Sequence, residues 1–377
     1  MPSSLLRLRP LLRQFLNPRT SLLSHLHRPL TTVSPASASE PESGPSPRPP
    51  SRTQLEKEFD SWTSKLRPGF TSADVADAIS SQTDPDLAYD IFRWTASRGR
   101  NYSHDSVAYL ALLETLISHR RYRLAQSTVD EVLSGACEPS LPLYNTLIRF
   151  CSGRKLLFAR AFDVYKKMLA SPNCKPDLET YTLLFGSLLR RFTRLPTCYV
   201  YLHSIRSMTK QMKTSGVIPD TFVLNMIVKA YSKCLELDEA IRVFREMTLY
   251  NCEPNNYTYS YIVKGLCEKG RVGEGLTFYQ EMRSKGLVPK SGAFMILICS
   301  LCMKGKSEMA TEVIFDMLRQ GMSPDLLTYK TLLDTLCREG KEELSFELLE
   351  EFRKRDKVMG NKNYRVLLDV LRINGEE

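Results

Sequence analysis

Residues 221–255 read TFVLNMIVKAYSKCLELDEAIRVFREMTLYNCEPN, a stretch holding two helical patterns separated by a break. In the first, Phe222, Asn225, Met226, Val228, Lys229 and Tyr231 set an apolar stripe, at spacings of three and four, beside a polar edge. That is the pattern of an amphipathic helix, and the pair Asp220-Thr221 supplies its cap. After the break at Lys233 to Glu236, Leu237, Ala240, Ile241, Val243, Phe244 and Met247 form a second stripe. Asp238 and Glu239 open it, where acids favour the positive end of a helix. A turn at Asn251 and then Pro254 end the stretch. Gly286 and Gly321 fill the place of Asn251 in the next two copies, as suits a left-handed helix stop.

The stretch recurs every 35 residues: Tyr259, Phe294, Tyr329 and Tyr364 keep that spacing, as do Pro219, Pro254, Pro289 and Pro324. Cys267, Cys302 and Cys337 keep it too, with Gly270, Gly305 and Gly340, and with Met247, Met282 and Met317. Five residue types holding one period exclude composition bias. A unit of helix, turn, helix and turn cannot bury its apolar face alone, so copies must stack into an α-solenoid with a long concave surface. The expected fold is all-α, with no strand. The copies span 71–105, 106–140, 141–177, 178–220, 221–255, 256–290, 291–325 and 326–360, with a partial one at 361–377. The copy at 178–220 carries eight extra residues, expected around Arg191 to His203 as a longer turn or second helix.

Residues 1–39 contain Arg7, Arg9, Arg13, Arg19 and Arg28, many serines and leucines, and no acid. This composition predicts a mitochondrial transit peptide, with a chloroplast leader or a basic tail as alternatives. The leucine runs are too broken by arginine for a membrane span. Residues 40–70 read as a linker, disordered or weakly helical, with a cluster of prolines at its start. The formal charge of +10 falls to about +5 without the five presequence arginines. Such a mild excess permits a local polyanion-binding stripe without establishing one. Cysteines in register read as small packing residues in successive layers. Cys299 and Cys302 form the one Cys-x-x-Cys, with no second pair, so no zinc site is expected.

Tyr144-Asn-Thr-Leu-Ile148, Thr258-Tyr-Ser-Tyr-Ile-Val-Lys-Gly-Leu-Cys267 and Thr328-Tyr-Lys-Thr-Leu-Leu-Asp-Thr-Leu-Cys337 resemble the pentatricopeptide repeat family in its P-type, plant organellar form. The period of 35 and the lack of a Trp-x-x-Leu-Gly-x-x-Tyr pattern separate it from the 34-residue tetratricopeptide repeat. The resemblance implies stacked helix-turn-helix repeats winding into a right-handed superhelix. It also implies single-stranded RNA binding in mitochondria, one base per repeat.

In that family the fifth residue of each unit reads a base and the last supports it. The resemblance thus assigns Asn145 with Asp177 to uracil, Thr182 with Asp220 to guanine, and Asn225 with Asn255 to a pyrimidine, cytosine first. An amide or hydroxyl can exchange hydrogen bonds with a base edge while the second polar group orients it. Ser260 with Lys290 pairs a readable hydroxyl with the wrong support. Leu110 with Ser140, Met295, and Lys330 with Gly360 depart from the pattern. Bases are sandwiched at the second place, here Val107, Pro142, Glu179, Phe222, Tyr257, Gly292 and Leu327. Of these, Phe222 and Tyr257 are the good platforms, Glu179 would repel phosphate, and Gly292 offers no surface. Arg190, Lys233, Lys269, Lys304 and Arg338, near the ends of first helices, read equally as a phosphate track or as solvated complements of the helix dipole.

No deaminase motif, phosphate loop or nucleophile with its base is present, so no catalysis, cofactor, small-molecule substrate or membrane partner is expected. The expected function is sequence-selective RNA binding in transcript processing, stability or translation. The alternative is a protein-interaction solenoid on the mitochondrial ribosome or with other RNA-processing proteins.

Overall fold

A computed structural model of the chain describes residues 54–65, 69–98, 103–192 and 195–374. The expected transit peptide lies outside the described residues. Among the described residues all regular structure is helical. A helix α1 (Gln54–Lys65) comes first. Pairs follow: α2 (Ser72–Ser80) with α3 (Pro85–Arg98), α4 (Ser106–Ser118) with α5 (Tyr122–Ser134), and α6 (Leu141–Ser152) with α7 (Phe158–Ala170). Next are α8 (Leu178–Leu189) with α9 (Leu195–Thr214), α10 (Thr221–Lys233) with α11 (Leu237–Glu246), and α12 (Asn256–Glu268) with α13 (Val272–Ser284). Then α14 (Ser291–Met303) pairs with α15 (Ser307–Arg319) and α16 (Leu326–Arg338) with α17 (Glu342–Arg355), before α18 (Asn361–Asn374).

Each even-numbered helix packs on the next even-numbered one, from α2 to α18. Consecutive members of the odd-numbered set from α3 onward lie farther apart, each packed chiefly on its neighbouring first helices. First helices therefore form one tight layer and second helices a looser one, which bends the stack toward the first-helix side. The fold is an α-solenoid.

The helical period explains which residue goes where. At about 100° per residue, the second and fifth places of a first helix lie about 60° apart, while the fourth lies about 160° from the second. The fourth place accordingly faces the core: Tyr144, Tyr181, Tyr259, Phe294 and Tyr329 are all 3 % exposed or less. Cys267 and Cys302 are buried among these layers, and burial pushes each thiol pKa up to about 12. They serve as inert packing groups.

One element goes beyond the sequence expectation. Residues 54–65 form a 12-residue helix where a linker with at most weak helix was expected. Its Phe59 and Trp62 pack against Ala78, Leu87 and Ile91, so tertiary burial of two aromatics stabilises a helix that local propensity leaves marginal. The extra residues of 178–220 lengthen the second helix, α9, to 20 residues.

In five of the helix pairs the turn holds one residue in the left-handed region. Gly270, Gly305 and Gly340 take it with φ of 82°, 66° and 73°, whereas Leu235 and Arg120 take it with φ of 58° and 61°. A Cβ on Gly305 would meet nothing within 4 Å, so its substitution is penalised by backbone conformation alone. Gly305→Ala is expected to lower unfolding free energy by about 1 kcal/mol. Arg120→Gly, at an exposed position, should raise it by less, since glycine also gains freedom in the unfolded chain. Urea titration of the three proteins measures both; equal midpoints would refute the strain.

Candidate nucleic-acid interface

The last place of a unit is also the N-cap of the next first helix. Asp105, Asp177, Asp220, Asn255 and Asp325 each accept backbone N–H groups from the helix that follows. Their residue types are thus the ones helix capping prefers. Ser140 and Lys290 cap with no side-chain hydrogen bond.

From that cap the side chain meets the fifth place of its own unit. Asn145 Nδ2 donates to Asp177 Oδ1 at 3.3 Å, and Asn225 Nδ2 donates to Asn255 Oδ1 at 3.1 Å. A threonine at the third place of the next unit completes each arrangement. Thr180 Oγ1 donates to Asn145 Oδ1 at 2.6 Å, and Thr258 Oγ1 donates to Asn225 Oδ1 at 2.6 Å. With Oδ1 held by a hydroxyl and Nδ2 by the cap, both amides are fixed in orientation as well as in place. Burial works against the Asp177 carboxylate, but hydrogen bonds from the Thr180 N–H and hydroxyl and from Asn145 outweigh it. Its pKa is held below the ordinary aspartate value.

Thr182 is different. Its hydroxyl donates to Leu178 O at 2.8 Å, one turn back, and shares no direct hydrogen bond with Asp220, which caps Val223 at 2.8 Å. The third place here is Val223, so no hydroxyl reaches across. The Thr182 oxygen is left as an acceptor. Ser260 is used internally, accepting from the Lys290 N–H at 3.0 Å.

The second places form an exposed line. Val107 is 49 % exposed, Phe222 60 %, Tyr257 49 % and Leu327 67 %, and Pro142 is exposed as well. The Lys290 ammonium lies 4.3 Å from the Tyr257 ring centroid, a cation–π contact. Asn145 and Asn225, at 3 % and 7 % exposure, sit deeper in the same groove.

The basic residues are engaged by backbone groups in different ways. Arg190 reaches Ser152 O at 3.5 Å, Lys233 reaches Phe192 O at 3.3 Å, and Lys269 reaches Leu235 O at 2.8 Å. These are carbonyls at the ends of preceding first helices or in the turns beyond, so the three cations complement helix C-termini. Arg338 folds back on Asp334 O at 3.1 Å in its own helix. Lys304 caps α14 through its backbone N–H.

Sequence reasoning missed Thr180, Thr258 and Arg149 as parts of the site, and took Glu179 only as a second-place residue that would repel phosphate. For the threonines a signal existed: position three is threonine at 180, 258 and 328. Glu179 Oε2 accepts from Asn145 Nδ2 at 3.2 Å, and Glu179 Oε1 pairs with Arg149. Nothing local marks that pair, whose members lie 30 residues apart.

Fold and groove together define a helical-repeat solenoid whose first-helix layer carries paired polar groups beside an exposed apolar line. The sequence matches the PPR repeat family over 219–268 and 289–338, the PPR repeat over 257–287 and 327–356, and the pentatricopeptide repeat domain over 98–154. Between them these matches cover slightly more than half of the 377 residues. The chain belongs to the pentatricopeptide repeat family. It is 58 % identical over 231 residues to the Arabidopsis thaliana mitochondrial pentatricopeptide repeat-containing protein At3g25210, covering 61 % of this chain and 60 % of that one. A second mitochondrial Arabidopsis thaliana member, At2g27800, is 35 % identical over 199 residues, covering 52 % of this chain and 44 % of its own. The chain therefore spans about half to three fifths of these relatives' length. Among solved structures, the pentatricopeptide repeat protein PPR10 from maize superposes with a TM-score of 0.51 at 20 % identity, over 86 % of this chain and 48 % of that one.

Proposed function

We propose that this protein binds single-stranded RNA in mitochondria, with selectivity set by Asn145, Thr182 and Asn225. It acts in transcript processing, stability or translation by occupying the RNA rather than by chemistry. The mitochondrial part of the reading rests on the arginine-rich, acid-free residues 1–39 and on the two relatives named as mitochondrial. The observation that carries the RNA part is the orientation of Asn145 and Asn225, in register, by a cap residue and by a threonine hydroxyl of the next unit, with Phe222 and Tyr257 exposed at the second places on either side of Asn225 in sequence register. A fixed amide presents a defined edge to a base, and an aromatic face beside it accepts the stacked ring. Held extended, the RNA is shielded from nucleases and from its own hairpins.

Three consecutive units favour U-G-C or U-G-U, read 5′ to 3′. The Thr182 hydroxyl, its proton committed to Leu178 O, offers acceptors, which suits the donor edge of guanine. Thr182→Asn should move the middle preference toward uracil, and only in part, since Val223 cannot supply the hydroxyl that Thr180 and Thr258 supply. Adding Val223→Thr should complete the shift to about five- to tenfold, the worth of one oriented hydrogen bond. Binding to short RNAs that differ at the middle base, measured for all three proteins, tests this. Absence of any middle-base preference in the unaltered protein would refute base reading at Thr182.

A further inference from the structure

Asn145 and Asn225 stand at equivalent places with equivalent threonine and cap partners, yet only one has its amide engaged by a second acceptor. The Asn225 amide donates to Asn255 alone, and the second-place residue beside it is Tyr257. The Asn145 amide donates to two carboxylates, Asp177 Oδ1 at 3.3 Å and Glu179 Oε2 at 3.2 Å, so both of its hydrogens are taken. The same Glu179 carboxylate holds Arg149, which lies one helical turn after Asn145 and about 40° around α6 from it.

We infer that Glu179 is a displaceable plug that occupies, within the free protein, the positions a nucleotide takes when RNA binds. Its Oε2 sits where a base carbonyl would accept from Asn145, and its Oε1 sits on Arg149 where a phosphate oxygen would. The inference rests on the RNA-binding reading and names the groups that recognise one nucleotide within it. Displacement costs little by the geometry. The Asn145 bond is at the long end for N–H···O, and the Arg149 and Glu179 side chains are 59 % and 48 % exposed, so their ion pair is weakened by solvent. On entry of a pyrimidine nucleotide, Glu179 swings off the line. The base carbonyl then replaces Oε2 on Asn145 and a backbone phosphate replaces Oε1 on Arg149. The plug therefore masks part of this position's selectivity, whereas no acid engages the Asn225 amide. A nucleotide gains there only if it supplies both an acceptor at the base edge and an anion for Arg149.

The test compares binding of U-G-C RNA by the full chain, by Glu179→Ala, by Arg149→Ala and by the double variant, over a range of salt concentrations. Glu179→Ala should bind about three- to tenfold more tightly and show greater preference for uracil at the Asn145 base. Its slope of log affinity against log salt should steepen by about 0.7, because the phosphate contact at Arg149 is no longer offset by a freed carboxylate that takes up a cation. Arg149→Ala in that background should remove the added slope. Glu308→Ala, the loss of one exposed acid from the second-helix layer, controls for net charge and should give no uracil-dependent gain. Thermal melts of each variant confirm that the fold is retained. If the unaltered protein binds but Glu179→Ala gains nothing, or gains equally for every base, or its added slope survives loss of Arg149, the plug is overturned and the RNA-binding reading stands. If no protein in the set binds at low salt, both fall.

Discussion

Alanine at both Phe222 and Tyr257 is expected to weaken binding of single-stranded RNA by about thirtyfold or more, since each stacking platform contributes roughly 1–3 kcal/mol. The two rings lie in adjacent units, one on each side of the Asn225 reading place, so a base held there loses both of its faces at once. Little stability should be lost with them, because Phe222 is 60 % and Tyr257 49 % exposed. Lys290, freed from the Tyr257 ring, still carries its charge, so the salt dependence should persist while affinity falls. Fluorescence anisotropy with a labelled RNA, beside a thermal melt, separates the two quantities. Unchanged affinity in a folded double variant would show that the exposed line is not where bases stack.

On stability, the largest expected effect lies in the second-helix layer. Asp316, 6 % exposed, accepts from the Tyr279 hydroxyl at 2.6 Å and pairs with Arg283 at 2.8 Å, with Arg319 at 3.6 Å. Asp316→Ala leaves a buried phenol and a largely buried guanidinium without their acceptor, which should cost about 3 kcal/mol. Because each unit contacts only its neighbours, the loss should uncouple α15 to α18 from the preceding stack rather than lower every helix alike. Asp238→Ala, which removes the exposed partner of Arg271, should leave the transition where it was. Amide hydrogen exchange resolves the pattern. Uniform loss of protection from α2 to α18 would contradict nearest-neighbour coupling.

The layer assignment was legible in the sequence because its causes are local. A 35-residue period, stripes at spacings of three and four, and caps one to three residues from the helices they serve all act within a turn or two. The second, fourth and fifth places could be assigned to faces because an α-helix turns by a fixed angle per residue. The basic residues show the limit of such reasoning. Arg190, Lys233 and Lys269 recur in register and suit either a phosphate track or helix ends, and only the structure places them beside carbonyls of preceding units.

By itself, then, the sequence determined the helical-repeat solenoid and its cysteine-containing core. Only the tertiary structure decided what each position does in the free protein. It set Asn145 between Thr180 and Glu179 and gave the Asn225 amide Asn255 as its acceptor. It laid Lys290 over Tyr257 and turned residues 54–65 into a docked helix. The physical reason is common to all of these. Helix formation and capping are settled by groups within a few residues. The partner of a long side chain in a solenoid comes from the neighbouring unit, some 30 residues away, and depends on rotamers and layer spacing that no local pattern encodes.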